Sequence, residues 1–444
     1  MARFLMAIVD GGGTVPPALG VAGELVGRGH AVTVLSDPTV GPSARAAGCD
    51  FRPWRAAPHF ASLEEQTALL AAFEGGNPVL SYRILRDRLI CGAAPGFASD
   101  VLSAVRDGRP DALLVESAVP GILIGAQAAA RPTASLMPNM YMRPTPGLPL
   151  MGTGWQPARG TAGRTRDAVA LRVTRAMTGR FVPPLNATLR AHGLRPIEDL
   201  FELLDRCTEV LVLTSPSFDF TPLHLPSNVR YVGPELADPD WAGPDDGPAA
   251  WRPDGDAPLV LAAGSSVFQR QTDVLRRAAA ALGQLPVRGV VTTGRAVEPR
   301  DIPAPGNVRV VRAAPHRAVL AEAAAAVTHA GHGSLLKALA AGVPLVCVPM
   351  GRDQRDNTVR ALRLGVGVRV SRSASPEVLA DAVRRVLEPA VDWLRDASDT
   401  FAGILLRERW VALLTGLLLA LVLAGVRAGR LAGESSDAGP EVAA

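Results

Sequence analysis

Short apolar runs alternate with helix-like stretches from the first residues onward. The run RFLMAIV (3–9) is predicted to be a buried strand, and the glycine-rich loop DGGGTVPP (10–17) follows it. Apolar residues then recur with helical spacing over 18–30, and AVTVL (31–35) is predicted to be the next strand. Strand, helix and strand at this spacing form a βαβ unit, which requires a parallel sheet. The pattern returns between residues 111 and 136.

A second series of the same kind follows a break in the pattern. Residues 232–257 are rich in Pro, Gly and Asp and have no periodicity, which is typical of a linker. Alternation resumes at PLVLAAGSS (258–266). We therefore predict two Rossmann-like α/β domains facing a cleft, with ligands beyond the carboxyl ends of the strands. The predicted parts are an N-terminal domain (1–231), the linker (232–257), a C-terminal domain (258–388) and a tail (389–444).

Composition excludes several other classes of protein. A chain of 444 residues is too long for one typical core, which agrees with two domains. The formal net charge of +4 is small for this length and no long basic run occurs, so nucleic acid is not an expected partner. The four cysteines are scattered without a CxxC spacing, which indicates neither a disulfide framework nor a zinc site.

The two ends of the chain differ in character. The first apolar run is too short for a signal peptide, so a cytoplasmic location is expected. Near the other end, residues 410–426 contain no charge and are flanked by arginines. As a helix this segment would be about 25 Å long, at the short limit for a membrane span. The alternatives are membrane association through 410–426, or packing of this apolar helix against the body or a second copy.

The stretch THAGHGSLLKAL (328–339) places glycines between an apolar strand and a helix. Free backbone N–H groups and the helix dipole at such a junction attract anions. A metal site would need more ligands than its two histidines supply, and a simple capped turn is the other alternative. The candidate anion-binding residues are His329, Gly331, His332, Gly333 and Ser334.

Two more polar loops are predicted at the same edge of this sheet. The loop MGRDQRDN (350–357) follows the strand PLVCVP, and its Asp353 and Gln354 offer acceptors and donors suited to sugar hydroxyls. The first strand of this half ends in AAGSS (262–266), where hydroxyls again follow a glycine. Three polar loops at one edge of the sheet indicate a binding site, because the requirements of tight turns alone would not bring them together there.

The whole stretch from Thr328 to Asn357 resembles the donor-binding signature of nucleotide-sugar glycosyltransferases of the GT-B fold. The likeness is to the actinobacterial, macrolide-type branch of the family that includes the UDP-glucuronosyl and UDP-glucosyl transferases. A weaker similarity extends from residue 1 to about residue 388. The resemblance implies a hexosyltransferase-type enzyme that uses a UDP- or dTDP-linked sugar, with no cofactor and no metal.

The resemblance also implies roles for particular residues. Asp353 and Gln354 would grip the transferred sugar. Lys337 stands where an acidic residue often holds the ribose, and Ala313 stands where plant enzymes have a tryptophan, which leaves the choice between UDP and dTDP open. His316 lies in the segment that packs near the base. The residues implied to hold the donor diphosphate are Ser265, Ser266, His329, Gly333 and Ser334.

The first loop departs from the pattern of the family. An inverting transfer needs a base for the acceptor hydroxyl. Many relatives have a histidine in this loop, but here GTVPP places Thr14 at that position, and a threonine hydroxyl is not basic near neutral pH. Asp10 is the first substitute candidate, with a carboxylate cap of the glycine turn as its alternative role. Glu116 falls at the position that orients the base, and it is the second candidate for the base, with a hydrogen bond to the first loop as its alternative role.

The acceptor is predicted to bind the first domain. PNMYMRPTPGLPLMGTGW (138–155) is rich in Pro, Gly and Met, and Tyr141 and Trp155 could form aromatic walls for a small hydrophobic or lipid acceptor. The alternative is an ordinary surface loop. Because the usual histidine is missing, an inactive nucleotide-sugar-binding protein or partner subunit stays open, as does a sugar-nucleotide epimerase.

Overall fold

The computed structural model describes residues 1–73, 78–242, 250–265, 270–388 and 396–405. Within these residues the chain forms two parallel sheets, each covered by helices. The first sheet contains β1 (Arg3–Ala7), β2 (Ala31–Ser36), β3 (Asp50–Pro53), β4 (Ala112–Glu116), β5 (Thr133–Met137), β6 (Glu209–Val212) and β7 (Val229–Tyr231). The second contains β8 (Leu259–Ala263), β9 (Arg288–Thr292), β10 (Val308–Val311), β11 (Ala323–Thr328), β12 (Leu345–Cys347) and β13 (Gly367–Arg369).

Helices connect the strands on both faces of each sheet. Those of the first half are α1 (Val15–Gly27), α2 (Gly41–Ala46), α3 (Leu63–Phe73), α4 (Pro78–Ile84), α5 (Ala94–Gly108), α6 (Pro120–Ala128), α7 (Gly160–Thr178), α8 (Val182–Ala191) and α9 (Glu202–Asp205). Those of the second half are α10 (Thr272–Gly283), α11 (His316–Glu322), α12 (His332–Ala340), α13 (Gln354–Leu364), α14 (Pro376–Leu387) and α15 (396–405).

Strand order places a ligand crevice in each half. The first sheet runs β3-β2-β1-β4-β5-β6-β7 and the second β10-β9-β8-β11-β12-β13, with every described pair of strands parallel. The order therefore reverses direction between β1 and β4, and again between β8 and β11. In open parallel sheets ligands bind beyond the carboxyl ends of the strands at this switch point. The predicted strands and the predicted pair of Rossmann-like domains are confirmed.

The cores follow from the apolar strands, which are buried on both faces as parallel strands require. All five residues of β4, β8 and β9 are buried. Residues on both sides of the predicted second domain, 258–388, also pack against it. Leu236 and Trp251, from the predicted linker, are buried in a cluster with the second sheet, and so are Phe401 and Leu405 of α15. Hydrophobic packing therefore extends the second domain beyond residues 258–388.

Two sequence-based predictions lie outside the described residues. These are the apolar segment 410–426 and the donor-binding assignment of Ser266. Among the helices of the described ranges, none is both long and apolar enough to cross a bilayer.

Candidate active site

The carboxyl ends of both sheets face one cleft of about 380 Å³. The first domain contributes Gly11, Gly13 and Thr14 of the loop after β1, together with Met151 from the loop after β5. The loops after β8, β11 and β12 form the opposite wall. The residues of this second wall that the sequence predicted are Ser265, His316, His329, Gly331, His332, Gly333, Ser334, Asp353 and Gln354.

The turn between β11 and α12 leaves helix N–H groups open to the cleft. Gly331 is the N-cap of α12, and within the described residues no side chain accepts a hydrogen bond from this end of the helix. The Ser334 hydroxyl donates to the Gly331 carbonyl (3.1 Å), within the turn. A Cβ on Gly333 would meet no atom within 4 Å, so open space lies beside these N–H groups. Because the helix dipole adds positive potential here, an anion is the ligand that this turn fits.

Backbone strain is concentrated in the loops of this wall. Ala330 (φ 63°), in the β11 turn, and Arg352 (φ 54°), in the loop after β12, adopt the left-handed conformation that non-glycine residues rarely take. Arg270 (φ 47°) does so after β8. Such strain costs roughly 1–3 kcal/mol per residue and persists where surrounding contacts impose it, as in binding sites.

Asn357 connects two of these loops and was not among the residues predicted for the site. The fully buried side chain donates through Nδ2 to the Ala330 carbonyl (3.0 Å) and to Asp353 Oδ2 (2.9 Å). Its Oδ1 lies 3.3 Å from Nδ1 of His332. One amide therefore fixes the turn between β11 and α12 relative to the loop after β12. Its position four residues after Asp353, on one face of α13, was the signal available in the sequence.

The same contacts define the hydrogen positions on His332. Since the Asn357 Nδ2 hydrogens go to acceptors, its Oδ1 must accept, and Nδ1 of His332 carries the hydrogen. Nδ1 of His329 lies 3.4 Å from the Ala263 carbonyl, which also only accepts. Burial lowers the pKa of both imidazoles, so the neutral rings have unprotonated Nε2 atoms. Within the described residues, His332 Nε2 is buried and has no hydrogen-bond partner.

Part of the Gln354 side chain, which was predicted to bind the sugar, is used within the protein. Its Oε1 accepts the N–H groups of Met350 (2.8 Å) and Gly351 (3.1 Å), so this oxygen holds its own loop. Asp353 is half-buried and remains on the cleft wall, with Oδ2 bound to Asn357. Both residues lie on the cleft wall as predicted, but some of their hydrogen bonds hold the loop after β12 instead of being free for a ligand.

An ion pair lies at the end of the cleft beside α11 and α12. Lys337 Nζ lies 2.8 Å from Asp238 Oδ1, and both side chains are largely buried. The other Asp238 oxygen accepts the Arg317 N–H at the start of α11 (2.9 Å). His316 Nε2 lies 3.1 Å from the Thr292 hydroxyl, and burial, with the nearby Lys337 charge, lowers its pKa to about 4. Asp238 was missed because it lies in the segment predicted to be only a linker.

The two candidate carboxylates of the first domain lie behind the cleft surface. Asp10 accepts from Gly12 N–H (3.1 Å) through one oxygen and from the Thr39 hydroxyl (2.7 Å) through the other. The alternative role as a cap of the glycine turn is therefore present. Neither Asp10 nor Glu116 is among the cleft-lining residues.

Glu116 ends β4 at the switch point, where it is buried and accepts the Val9 N–H (2.8 Å). Burial raises its pKa to about 7, and the negative charges of Asp37 and Asp10 add to the rise. Thr14 lowers the pKa of Glu116 slightly, although its buried hydroxyl makes no hydrogen bond of good geometry in the described residues.

The predicted aromatic walls lie elsewhere. Tyr141 is only 6% exposed and packs in the core of the first domain. Trp155 is half-buried under the Arg166 guanidinium, 4.5 Å from the ring centre. Neither ring is among the residues that line the cleft. Met151, from the same loop, does line it.

Comparison with known proteins gives the class of protein. The profile described as UDP-glucoronosyl and UDP-glucosyl transferase matches residues 194–391. The 4'-demethylrebeccamycin synthase of Lentzea aerocolonigenes is 30% identical over 395 residues, covering 87% of this chain and 92% of the relative. The fold is shared with the glycotransferase of kitacinnamycin (TM-score 0.69, 22% identity, 94% of this chain and 98% of the other). It is also shared with the glycosyltransferase VinC in complex with dTDP (TM-score 0.65, 19% identity, 94% and 98%).

These comparisons, together with two parallel sheets that face one cleft, define a nucleotide-sugar glycosyltransferase of the GT-B fold. The chain belongs to the UDP-glucoronosyl and UDP-glucosyl transferase family. The predicted family and the predicted enzyme class, a hexosyltransferase-type transferase, are confirmed.

A side chain at Gly333 should obstruct the anion-binding turn without disturbing the fold. We expect Gly333→Val to weaken binding of UDP or dTDP by about tenfold or more, since a hydrogen bond to a charged group contributes roughly 1.5–3 kcal/mol. Isothermal calorimetry measures the affinity, and Gly306→Val, at another open and exposed glycine, is the matched control. Wild-type affinity in Gly333→Val would show that the phosphates bind elsewhere.

Binding of the donor diphosphate should be accompanied by proton uptake. At neutral pH the buried His332 ring is neutral, and an adjacent dianion favours the imidazolium and raises its pKa again. We expect calorimetric enthalpies at pH 7 to differ between phosphate and Tris buffers by an amount equivalent to up to about one proton, and affinity to fall as pH rises. The difference should disappear in His332→Gln. Equal enthalpies for the wild type in both buffers would exclude protonation of this ring.

Proposed function

We propose that this enzyme moves a sugar from a UDP- or dTDP-linked donor to a hydroxyl group of a small hydrophobic or lipid acceptor, with inversion and without a metal ion. The observation that carries the proposal is the uncapped start of α12 facing the first-domain loop across one cleft. A diphosphate leaving group at this turn would be stabilised by backbone N–H groups and the helix dipole. The sugar would then lie towards Asp353, opposite Gly11–Thr14.

Inversion is supported by the arrangement of the two walls. The donor diphosphate and the acceptor hydroxyl would approach the anomeric carbon from opposite domains, as a single in-line displacement requires. The bond to the diphosphate oxygen breaks as the bond to the acceptor oxygen forms, and the acceptor proton passes to a base. Independence from metal is supported by the positive potential of the turn, and full activity in EDTA is its test.

The base is proposed to be one of the two first-domain carboxylates. Asp10 belongs to the loop that lines the cleft, but both of its oxygens hold that loop. The pKa of Glu116, about 7, suits a base that works near neutral pH. Glu116 is buried behind Thr14, so access would require a shift of the first loop. Because the two carboxylates have different hydrogen-bond partners, mutations can test the role of each one separately.

The acceptor class rests on the apolar lining of the first-domain wall and on the relatives. Met151, Leu213 and the prolines at 16 and 17 line this side of the cleft. One relative is named as a 4'-demethylrebeccamycin synthase, which is compatible with a natural-product acceptor. The proposal does not use Tyr141 or Trp155, which lie away from the cleft.

Substitution of Asp10 tests whether it acts as the base or only as a support for the loop. If it is the base, Asp10→Asn should lower kcat by at least about 10²-fold with donor affinity retained. Thr39→Val is the matched control, because it removes the hydrogen bond to Asp10 and keeps the carboxylate. Equal losses in the two variants, measured as initial rates, would assign Asp10 a structural role.

The pH profile tests Glu116 in the same assay. A base must be deprotonated, so its activity is present above its pKa and is lost below it. We expect the kcat of the wild type to rise through an apparent pKa near 7, and Glu116→Gln to lose this limb together with most of kcat. An unchanged profile in Glu116→Gln would remove this residue from the chemistry.

A second candidate function has one observation in its favour: Thr14 replaces the usual histidine and neither carboxylate lines the cleft. A nucleotide-sugar-binding protein without transferase activity would have the same features. Incubation with labelled donor distinguishes these functions. Release of nucleoside diphosphate only when an acceptor is added supports transfer. Release without acceptor supports hydrolysis or epimerase-like chemistry, and no release with a broad acceptor panel supports a binding protein.

A further inference from the structure

A carboxylate on the donor side of the cleft holds a loop of the acceptor side. Asp356 lies in the first turn of α13, three residues after Asp353, and is only 3% exposed. Its two oxygens accept backbone N–H groups from the loop after β5, one from Gly152 (2.5 Å) and one from Gly154 (2.8 Å). The two domains are therefore joined by a pair of charge-assisted hydrogen bonds beside the cleft.

The conformation of this loop is specific for the contact. Gly152 (φ 86°) and Gly154 (φ 67°) both adopt the left-handed conformation, which directs their N–H groups to one carboxylate. Backbone concavities of this kind bind anions. A Cβ on Gly154 would lie 2.9 Å from the Cβ of Arg355, so the loop approaches α13 more closely than any other residue would allow.

Asp219 connects the loop after β5 to α13 a second time, one helical turn further along the helix. Arg360 pairs with Asp219 in a buried ion pair (2.8 Å), and the other Asp219 oxygen accepts the Tyr141 N–H (2.8 Å). The Tyr231 hydroxyl donates to that same oxygen (2.8 Å). Since Met151, between the two attachment points, lines the cleft, this loop forms a wall whose position depends on α13.

We propose that Asp356 is a positioning residue that couples the two substrate sites, holding the acceptor-side loop 148–155 against the helix that begins at the donor-sugar residues. Gln354 and Asp356 lie within the first turn of α13. A shift of the loop that contains Asp353 therefore also moves the carboxylate to which the loop 148–155 is attached. Release of the loop would separate the acceptor hydroxyl from the anomeric carbon while leaving the diphosphate turn of α12 in place. A misplacement of about 1 Å can cost roughly 10²-fold in rate. The proposal rests on the transferase function proposed above.

Two pairs of variants test the coupling in the full-length protein. Asp356→Asn replaces one accepting oxygen by an NH₂ group that faces an N–H donor, and the exposed Asp381→Asn is its control. Gly152→Ala strains the loop at a position with no neighbour within 4 Å, and Gly160→Ala, with φ 76° and equally open space, is its control. We expect Asp356→Asn and Gly152→Ala to raise the acceptor KM and lower kcat by about tenfold or more in total, with the Kd for UDP or dTDP within about twofold of the wild type.

Amide hydrogen exchange gives a readout that does not depend on turnover. We expect exchange at residues 150–155 to be faster in Asp356→Asn, with exchange at residues 329–336 unchanged. Unchanged exchange at 150–155 would overturn the attachment itself. Faster exchange with an unaltered acceptor KM, or an equal loss of donor affinity, would overturn the positioning role. A wild type that binds nucleotide but turns over no acceptor contradicts the proposed function instead, and the exchange comparison then still decides whether the attachment exists.

Discussion

The uncapped beginning of α12 is the feature on which the rest of the site depends. A helix leaves its first N–H groups without partners, and in the part of the chain that the structure describes no side chain satisfies them here. Gly331 allows the His329 ring to pack where a Cβ would lie, and Gly333 leaves space in front of the N–H groups. The parallel sheet places this turn at the switch point, opposite the first-domain loop. The fold and the local sequence thus direct positive potential to the centre of the cleft.

Several polar side chains around the cleft form hydrogen bonds that hold the loops of the protein in place. Asn357 joins the turn to the Asp353 loop, Gln354 Oε1 closes its own loop, and Asp10 caps the first glycine loop. The Asn357 side chain holds the carbonyl of the strained residue Ala330, and Gln354 holds the loop that contains the strained residue Arg352. The resulting rigidity leaves backbone N–H groups at the start of α12 open to the cleft.

The sequence predicted the sheets and the donor turn because both depend on local patterns. Apolar strands such as β8 and β11 and the glycines at 331 and 333 carry their signal within a few residues. The role of Asp356 could not be predicted, because its partners Gly152 and Gly154 are about 200 positions away and contribute only backbone atoms. Tyr141 was predicted to line the cleft only because its loop is rich in Pro, Gly and Met, whereas its side chain packs in the core of the first domain. The assignments of Asp10 and Glu116 remain predictions, since the hydrogen bonds of both are compatible with structural support.

The central claim is that the donor diphosphate binds the N–H groups at the start of α12. The most direct measurement is a crystal structure of the enzyme with UDP or dTDP bound. The account predicts that the phosphate oxygens lie within hydrogen-bonding distance of the backbone at residues 332–334 and close to Nε2 of His332. Phosphates bound to the first-domain loop, or at any site away from residues 329–334, would contradict it.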